Sequence, residues 1–277
     1  MRKILIGLAA IIVLLLAAAL VGPSFVDWNK FKPEIAERVK AATGRDLAIG
    51  GDISLSILPA PTLSAHNVTL ANMPGAREPI MASLKSLGVR VELVPLLQGK
   101  IKVESLTLVE PVIALEVLAD GRHNWDLAPS GAVPAGGAAS KAVPQPAPPV
   151  IPQPATELKT GGGEAIEIGS FSIENGTVTY RDDASGTTER IEKLNTEITA
   201  ESLAGPISVD GDLVSHGIKL AIKAETGEFT ASPIPLHFDI SLPDADAKLS
   251  FGGSLAALNA DGQVTGKISA EGSDLSR

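Results

Sequence analysis

The chain has 277 residues, no cysteine and a net charge of −9. Without cysteine there is no disulfide framework, no thiolate metal site and no cysteine nucleophile. The acidic balance, with no Lys/Arg cluster, disfavours nucleic-acid binding. Aromatic residues are only 3% of the chain, too few for a base-stacking surface, whereas apolar residues are 44% and mostly aliphatic.

Residues Ile4–Val26 form an uncharged run between Arg2-Lys3 and Asp27. As a helix this run spans roughly 35 Å, enough to cross a hydrocarbon core of ~30 Å. The preceding cations favour a cytoplasmic N-terminus and place the rest of the chain across the membrane. A cleaved signal peptide is the rival reading, with Ala17-Ala18-Ala19 as its site. The apolar run continues past that point, longer than an h-region of ~7–15 residues, so a retained anchor is preferred.

Gly22-Pro23 ends the run, and Asp27 or Asn29 can cap a second helix. Phe31, Ile35, Val39 and Ala42 share one face of it, Pro33 fits its first turn, and Gly44 is its C-terminal stop. Two readings compete, a helix lying on the bilayer and a helix plugging the end of a β-domain. The second is preferred on the ordinary logic of amphipathic helices.

From Leu47 the period becomes two. Leu47–Ile57, Leu87–Leu93, Ile101–Leu108 with a phase slip at Glu104-Ser105, and Ile113–Val117 read as strands with one apolar and one wet face. The slip suggests a bulge. Residues 128–163, rich in Pro, Ala and Gly, read as a disordered linker. Strand signals resume at Ile166, with Asn175-Gly176 as a hairpin turn. Further strands are expected around 191–200, 207–213, 218–222, 236–242 and 249–251, separated by turns at Asp210-Gly211, Thr226-Gly227, Gly252-Gly253 and Asp261-Gly262. Val264 and Ile268 continue the meander, and the pattern stops abruptly at Arg277, which suggests a fragment or a short relative of longer proteins. The division expected is an anchor at 1–26, a first β unit with its helix at 27–127, the linker at 128–163, and a second β unit at 164–277.

No catalytic set is visible, and the reading is not an enzyme and needs no cofactor. His66, His123, His216 and His237 are isolated and fit no metal-ligand spacing. Asp182-Asp183 reads as a solvated turn, because strand neighbours point to opposite faces. Gly161-Gly162-Gly163 lacks the partners of a phosphate loop. Asn67-Val68-Thr69 and Asn175-Gly176-Thr177 read as turns. Trp125 is expected to pack over the end of the first β unit. Trp28 and Phe31, directly after the anchor, are the candidate membrane-interface residues.

Five motifs carry a resemblance: Asp27-Trp28-Asn29-Lys30-Phe31-Lys32-Pro33; Thr43–Ile53 followed by Leu58-Pro59; Val68–Asn72; Asp120–Leu127 ahead of the linker; and Glu174–Asp182 after it. In this order the chain resembles the AsmA family. The resemblance implies an inner-membrane-anchored protein with a periplasmic body in Gram-negative bacteria. It implies a relation to bridge-like lipid transporters, whose curled sheets form a trough, and a link to outer-membrane biogenesis. The expected fold is mainly β, with a transmembrane helix, a short amphipathic helix and an elongated, curled, mostly antiparallel sheet interrupted by the linker.

Two functions compete. One is a groove that binds phospholipid or lipopolysaccharide acyl chains, with candidate walls Ile49, Ile53, Leu55, Ile57, Val89, Val91, Ile101, Val103, Ile113 and Leu115. The other is a scaffold or assembly factor binding outer-membrane assembly proteins through sheet edges or loops. An ordinary closed β-core would use the same aliphatic residues as the groove.

Overall fold

The computed structural model describes residues 26–58, 60–98, 100, 102–127, 168–200, 202, 204–256 and 263–272. The candidate anchor up to residue 25, the 128–163 linker, Ile101 and Asp261-Gly262 lie outside them. Among the described residues no helix is long and apolar enough to cross a membrane.

Asp27 opens the described chain. Its Oδ1 accepts from the Asn29 N–H at 3.1 Å and starts a 3-10 turn at Trp28–Phe31. That turn runs into helix α1, Lys32–Thr43, with Pro33 in the first turn and Gly44 at φ 71° closing it. Left-handed backbone of this kind is where glycine carries no Cβ penalty. Ile35 and Trp28 pack on a cluster of Ile53, Ala65 and Val68, while Phe31 and Ala42 stay exposed. The helix therefore plugs one end of the sheet with part of its expected face.

Thirteen strands among the described residues form one sheet: β1 Leu47–Ile49, β2 Ile53–Ser56, β3 Thr62–Ala71, β4 Ile80–Val91, β5 Val103–Val109, β6 Val112–Val117, β7 Ile168–Asp182, β8 Thr187–Ala200, β9 Ile207–Ser215, β10 Ile218–Thr226, β11 Ile234–Leu242, β12 Ala247–Leu255 and β13 Val264–Gly272. The order is β1-β3-β4-β5-β7-β8-β9-β10-β11-β12-β13, with β2 on β3 and β6 bridging β4 and β7. Pairing is antiparallel except where β5 and β6 meet β7. Glu104 is left without a partner between Arg90↔Ser105 and Val91↔Val103, so the phase slip read in the sequence is a bulge.

Several expectations fail. Leu47–Ile57 is two strands, because Gly50 and Gly51 turn their N–H groups onto the Asn67 and His66 carbonyls at 2.9 Å. Leu93 begins a one-turn helix, α2 Leu93–Leu97, rather than ending a strand. The stretch 62–71, of which only Val68–Ala71 was quoted within a motif, is the central strand of the first unit, so Asn67-Val68-Thr69 is not a turn but part of β3. Asn175-Gly176, Asp210-Gly211 and Gly252-Gly253 are not hairpin turns and lie inside β7, β9 and β12.

Asn175 has a different task. With Asn67, Glu110 and Lys193 it is one of four non-glycine residues near φ 50° that lie on one line across the sheet. Lys85 bonds Glu110 at 2.7 Å, the Glu110 N–H reaches the Glu174 carbonyl, and Asn175 N donates to Asn195 Oδ1 at 2.8 Å. Asn195 then reaches Asp212 at 3.0 Å. The register shifts on this line in β7–β8 and β8–β9. Each strand slips its alternation by one residue here, from Leu63 and Ala65 to Val68 and Leu70, and from Phe171 and Ile173 to Val178 and Tyr180. A one-residue slip would normally send every later side chain to the opposite face. The left-handed residues compensate for it, and one face stays apolar on both sides of the line.

The connections form two rims. One carries loops 57–61, 92–102, 204–206 and 227–233; the other carries 72–79, 118–127, 183–186, 216–217 and 243–246. The second rim is acidic, with Glu78, Asp120, Asp126, Asp183, Asp244 and Asp246.

Candidate functional site: a two-faced sheet

Cross-strand partners stand on the same face of a sheet, so the register can be followed from strand to strand. From β2 to β13 it gives Leu55, Leu63, Val89, Leu106, Phe171, Ile198, Val209, Ala224, Phe238, Phe251 and Ile268. Every member is apolar. At ~4.8 Å per strand this row is roughly 48 Å long. Two residues along, a parallel row runs Ile53, Ala65, Leu87, Leu108, Ile173, Thr196, Gly211, Ile222, Ile240, Leu249 and Ala270, and only Thr196 and Gly211 interrupt its side-chain apolarity. Between the two rows, on the opposite face, lie Ser54, Ser64, Gly88, Thr107, Ser172, Glu197, Asp210, Lys223, Asp239, Ser250 and Ser269. One face is apolar but for Thr196 and Gly211, and the other is hydrophilic but for Gly88.

The nine described candidate wall residues share the apolar face. Leu55 and Val89 are in the first row and Ile53 in the second. Val91 stands opposite Val103. Ile49 stands opposite Val68, and Ile57 is buried just past β2. Beyond the left-handed line, Ile113 meets Ala82 and Val178, and Leu115 meets Tyr180. The row residues not picked out from the sequence are Leu63, Ala65, Leu87, Leu106 and Leu108 of β3–β5 and those of β7 to β13, whose common register was not legible.

What covers this face differs along it. Among the described residues, seven of the eight buried hydrophobic ones (Ile53, Ile57, Ala65, Val68, Met81, Val103 and Leu118) belong to β1–β6 and the connections around them, and the eighth, Ile234, lies in the second unit. Leu249 is 42% exposed and Ile268 68%. Near the β13 edge the Phe251 ring lies over Gly253 and Gly266, so a Cβ on either glycine would collide with it.

The polar chemistry is structural in character. Asn124 is fully buried and Glu116 is 3% exposed. Asn124 Oδ1 accepts from the Glu116 N–H at 2.9 Å, and its amide donates to Ala114 O at 2.7 Å and Asn72 Oδ1 at 3.1 Å. The Glu116 carboxyl accepts from the backbone N–H groups of Arg77 and Glu78 at 2.7 and 3.0 Å. Arg45 closes the knot on the Asn124 carbonyl at 3.2 Å, and burial pulls its guanidinium below the ordinary value. Loops 72–79 and 118–127 are thus tied to β6. The Asn72 and Asn124 motifs quoted above are this knot, a role that short-range spacing did not reveal.

Trp125 stacks on His123 at 4.8 Å and reaches Tyr180 of β7 at 6.2 Å, at the end of the first unit as expected. Trp28 is turned onto the sheet cluster, and Phe31, 37% exposed, lies 5.7 Å from it. On the hydrophilic face the Ser250 side chain, then Lys248, hold the Asp239 carboxyl down to about 2. Asp210 raises the Lys223 ammonium. Asp182 is lowered by Ser185 and Ala184 within its turn. Among the described residues no three His, Asp or Glu side chains are grouped to hold a metal ion.

The model of the AsmA family matches residues 1–269. A curated relative, the AsmA family protein YhjG of Escherichia coli (strain K12), is 27% identical over 135 residues, covering 44% of this chain and 20% of its own. The chain thus matches about a fifth of that relative's length. No solved structure matches.

Proposed function

The chain belongs to the AsmA family, and from that premise we propose that its apolar face is a track for phospholipid or lipopolysaccharide acyl chains. In this reading residues 1–26 anchor the protein in the bacterial inner membrane, and the body works in the periplasm in outer-membrane biogenesis. The observation that carries the reading is the unbroken apolar row from Leu55 to Ile268. A folded sheet has no need to keep eleven consecutive cross-strand positions apolar where most of them stay partly exposed, whereas each acyl methylene laid on such a surface gains ~0.8 kcal/mol. Aliphatic walls bind chains without polar recognition, in keeping with the structural character of the polar groups. The proposal needs no enzyme activity and no cofactor.

The test is photo-crosslinking of the full chain in membranes, with a benzophenone amino acid at Ile198 or Ile240 on the apolar face and at Lys223 on the other. Lipid adducts by mass spectrometry at the first two positions and not the third are expected. Equal labelling of both faces, or none, overturns the track. The alternative, a scaffold for outer-membrane assembly proteins, draws on β13, which is exposed along all nine residues and offers backbone for strand addition. It expects protein adducts at β13 and no lipid adducts at Ile198.

A further inference from the structure

We propose that the rim corner formed by Leu58 and helix α2 dips into the bilayer and seats the start of the apolar track on the membrane surface. This rests on the reading of the face as a lipid track.

Helix α2 has the sequence Leu-Val-Pro-Leu-Leu, and its described leucines and valine are exposed. Leu93 is 36%, Val94 66% and Leu96 37% exposed, and Leu58 of the neighbouring loop is 57% exposed. The two loops are joined, since the Val91 N–H donates to the Pro61 carbonyl at 2.9 Å, and the Glu92 N–H closes the α2 loop on Lys102 O. Isolated exposed aliphatics are normal on proteins, but a contiguous group marks an interaction surface.

The occupant follows from where the chain comes from. Asn29 Oδ1 accepts from the Ile53 N–H at 3.0 Å, so the 3-10 turn sits beside the start of β2. Helix α1 then runs toward the other rim, where the Ala71 N–H binds Asp46 O and Arg45 binds Asn124. Its N-terminus, and Val26 before it, therefore face the rim that carries Leu58. From Ile53 to Leu58 the extended chain covers only roughly 17 Å. The residues immediately upstream of Asp27 are the 23-residue uncharged run Ile4–Val26. A bilayer holding that run lies within reach of Leu58 and Val94. Lys30, Lys32, Lys100 and Lys102 flank the same corner, against Asp27 and Glu92, the latter paired with Lys102 at 3.0 Å; the cationic balance suits an anionic headgroup layer, whereas the opposite rim sets six acidic residues against Arg77 and Arg122. The first rungs of the apolar row, Leu55, Leu63 and Val89, begin at this corner, and Leu63 is 36% exposed. A corner seated in the headgroups would leave a lipid one strand away from the track.

The absence of cysteine makes the test direct. The full chain carrying Val94→Cys or Leu58→Cys is labelled with an environment-sensitive fluorophore. It is then reconstituted in vesicles of phosphatidylcholine and phosphatidylglycerol. Ala184→Cys, on the β7–β8 turn of the acidic rim, is the control. Labels at 94 and 58 should shift to the blue and be quenched at least twofold more by doxyl-lipid than the label at 184, which iodide should quench instead. A water-like label at 94 overturns the proposal. So does a blue-shifted label that doxyl-lipid leaves alone, since that means a protein partner or a second copy covers the corner. Lipid adducts at Ile198 that persist in either case show that only the docking has failed, not the track.

Discussion

The first unit, β1–β6, and the second, β7–β13, are written with the same aliphatic alternation and share continuous rows, yet one has a core and the other does not. In the first, α1 lies over the apolar face and tied loops close its end. In the second, the same kind of side chain is left half-exposed among the described residues. Alternation selects which face an aliphatic side chain takes, but burial is decided by whether another element arrives to cover that face.

The largest effect expected is at the knot of the first unit. Asn124→Ala strips the Glu116 N–H and the Ala114 carbonyl of this partner, groups whose buried exposure costs ~1–3 kcal/mol each, and takes one of two donors from Asn72 Oδ1, which keeps the Met73 N–H. A loss of about 4 kcal/mol is expected in urea unfolding, with hydrogen exchange rising in 72–79 and 118–127 and little change in β9–β12. Uniform deprotection across both units would abolish the contrast. Next comes Ile53→Ala in the covered cluster, at about 3 kcal/mol. Its counterpart Ile240→Ala, in the same cross-strand row but on β11 and only half-buried, should cost only about 1 kcal/mol, because its area is already partly in water. Equal costs for the two would mean that the second unit is covered after all.

The smallest effect concerns the hydrophilic face. Asp239 is held to about 2 in the folded chain, below the ~3.9 of an unperturbed Asp. Its contribution is therefore complete above ~3.9 and is lost as pH falls through about 2. Asp239→Asn should remove that contribution, lowering stability slightly at neutral pH and flattening the urea-midpoint profile between pH 4 and pH 2, so that variant and wild type converge at the acid end. A wild-type profile identical to the variant's would remove Asp239 from the account.

Local signals were readable where local physics governs. Pro33 and Gly44 framed α1 because a ring-locked φ and a left-handed cap act within one turn, and the Glu104 bulge showed as a break in alternation. Asn175-Gly176 misled because a left-handed Asn serves a hairpin or a bulge equally well, and only the neighbouring strands choose. Asp210-Gly211 and Gly252-Gly253 misled because their glycines serve close packing instead of a turn, Gly211 against Asn195 and Thr196 and Gly253 against β13 and the Phe251 ring. The rows themselves were invisible in the sequence, since they depend on ten registers at once. The Asn124 knot joins residues 52 apart or more through its Asn72 contact, a separation that no periodicity reports.

The two parallel joins, β5 and β6 against β7, have a further consequence. Where a hairpin links neighbouring strands, the peptide chain itself fixes their partnership. Here β7 is recruited by backbone pairing from the far side of residues 128–163, and the match extends over twelve register positions, six with β5 and six with β6. The molecule is thus two polypeptide pieces sharing one weave, and a protease cut between them would leave a nicked sheet whose halves copurify rather than two separate proteins.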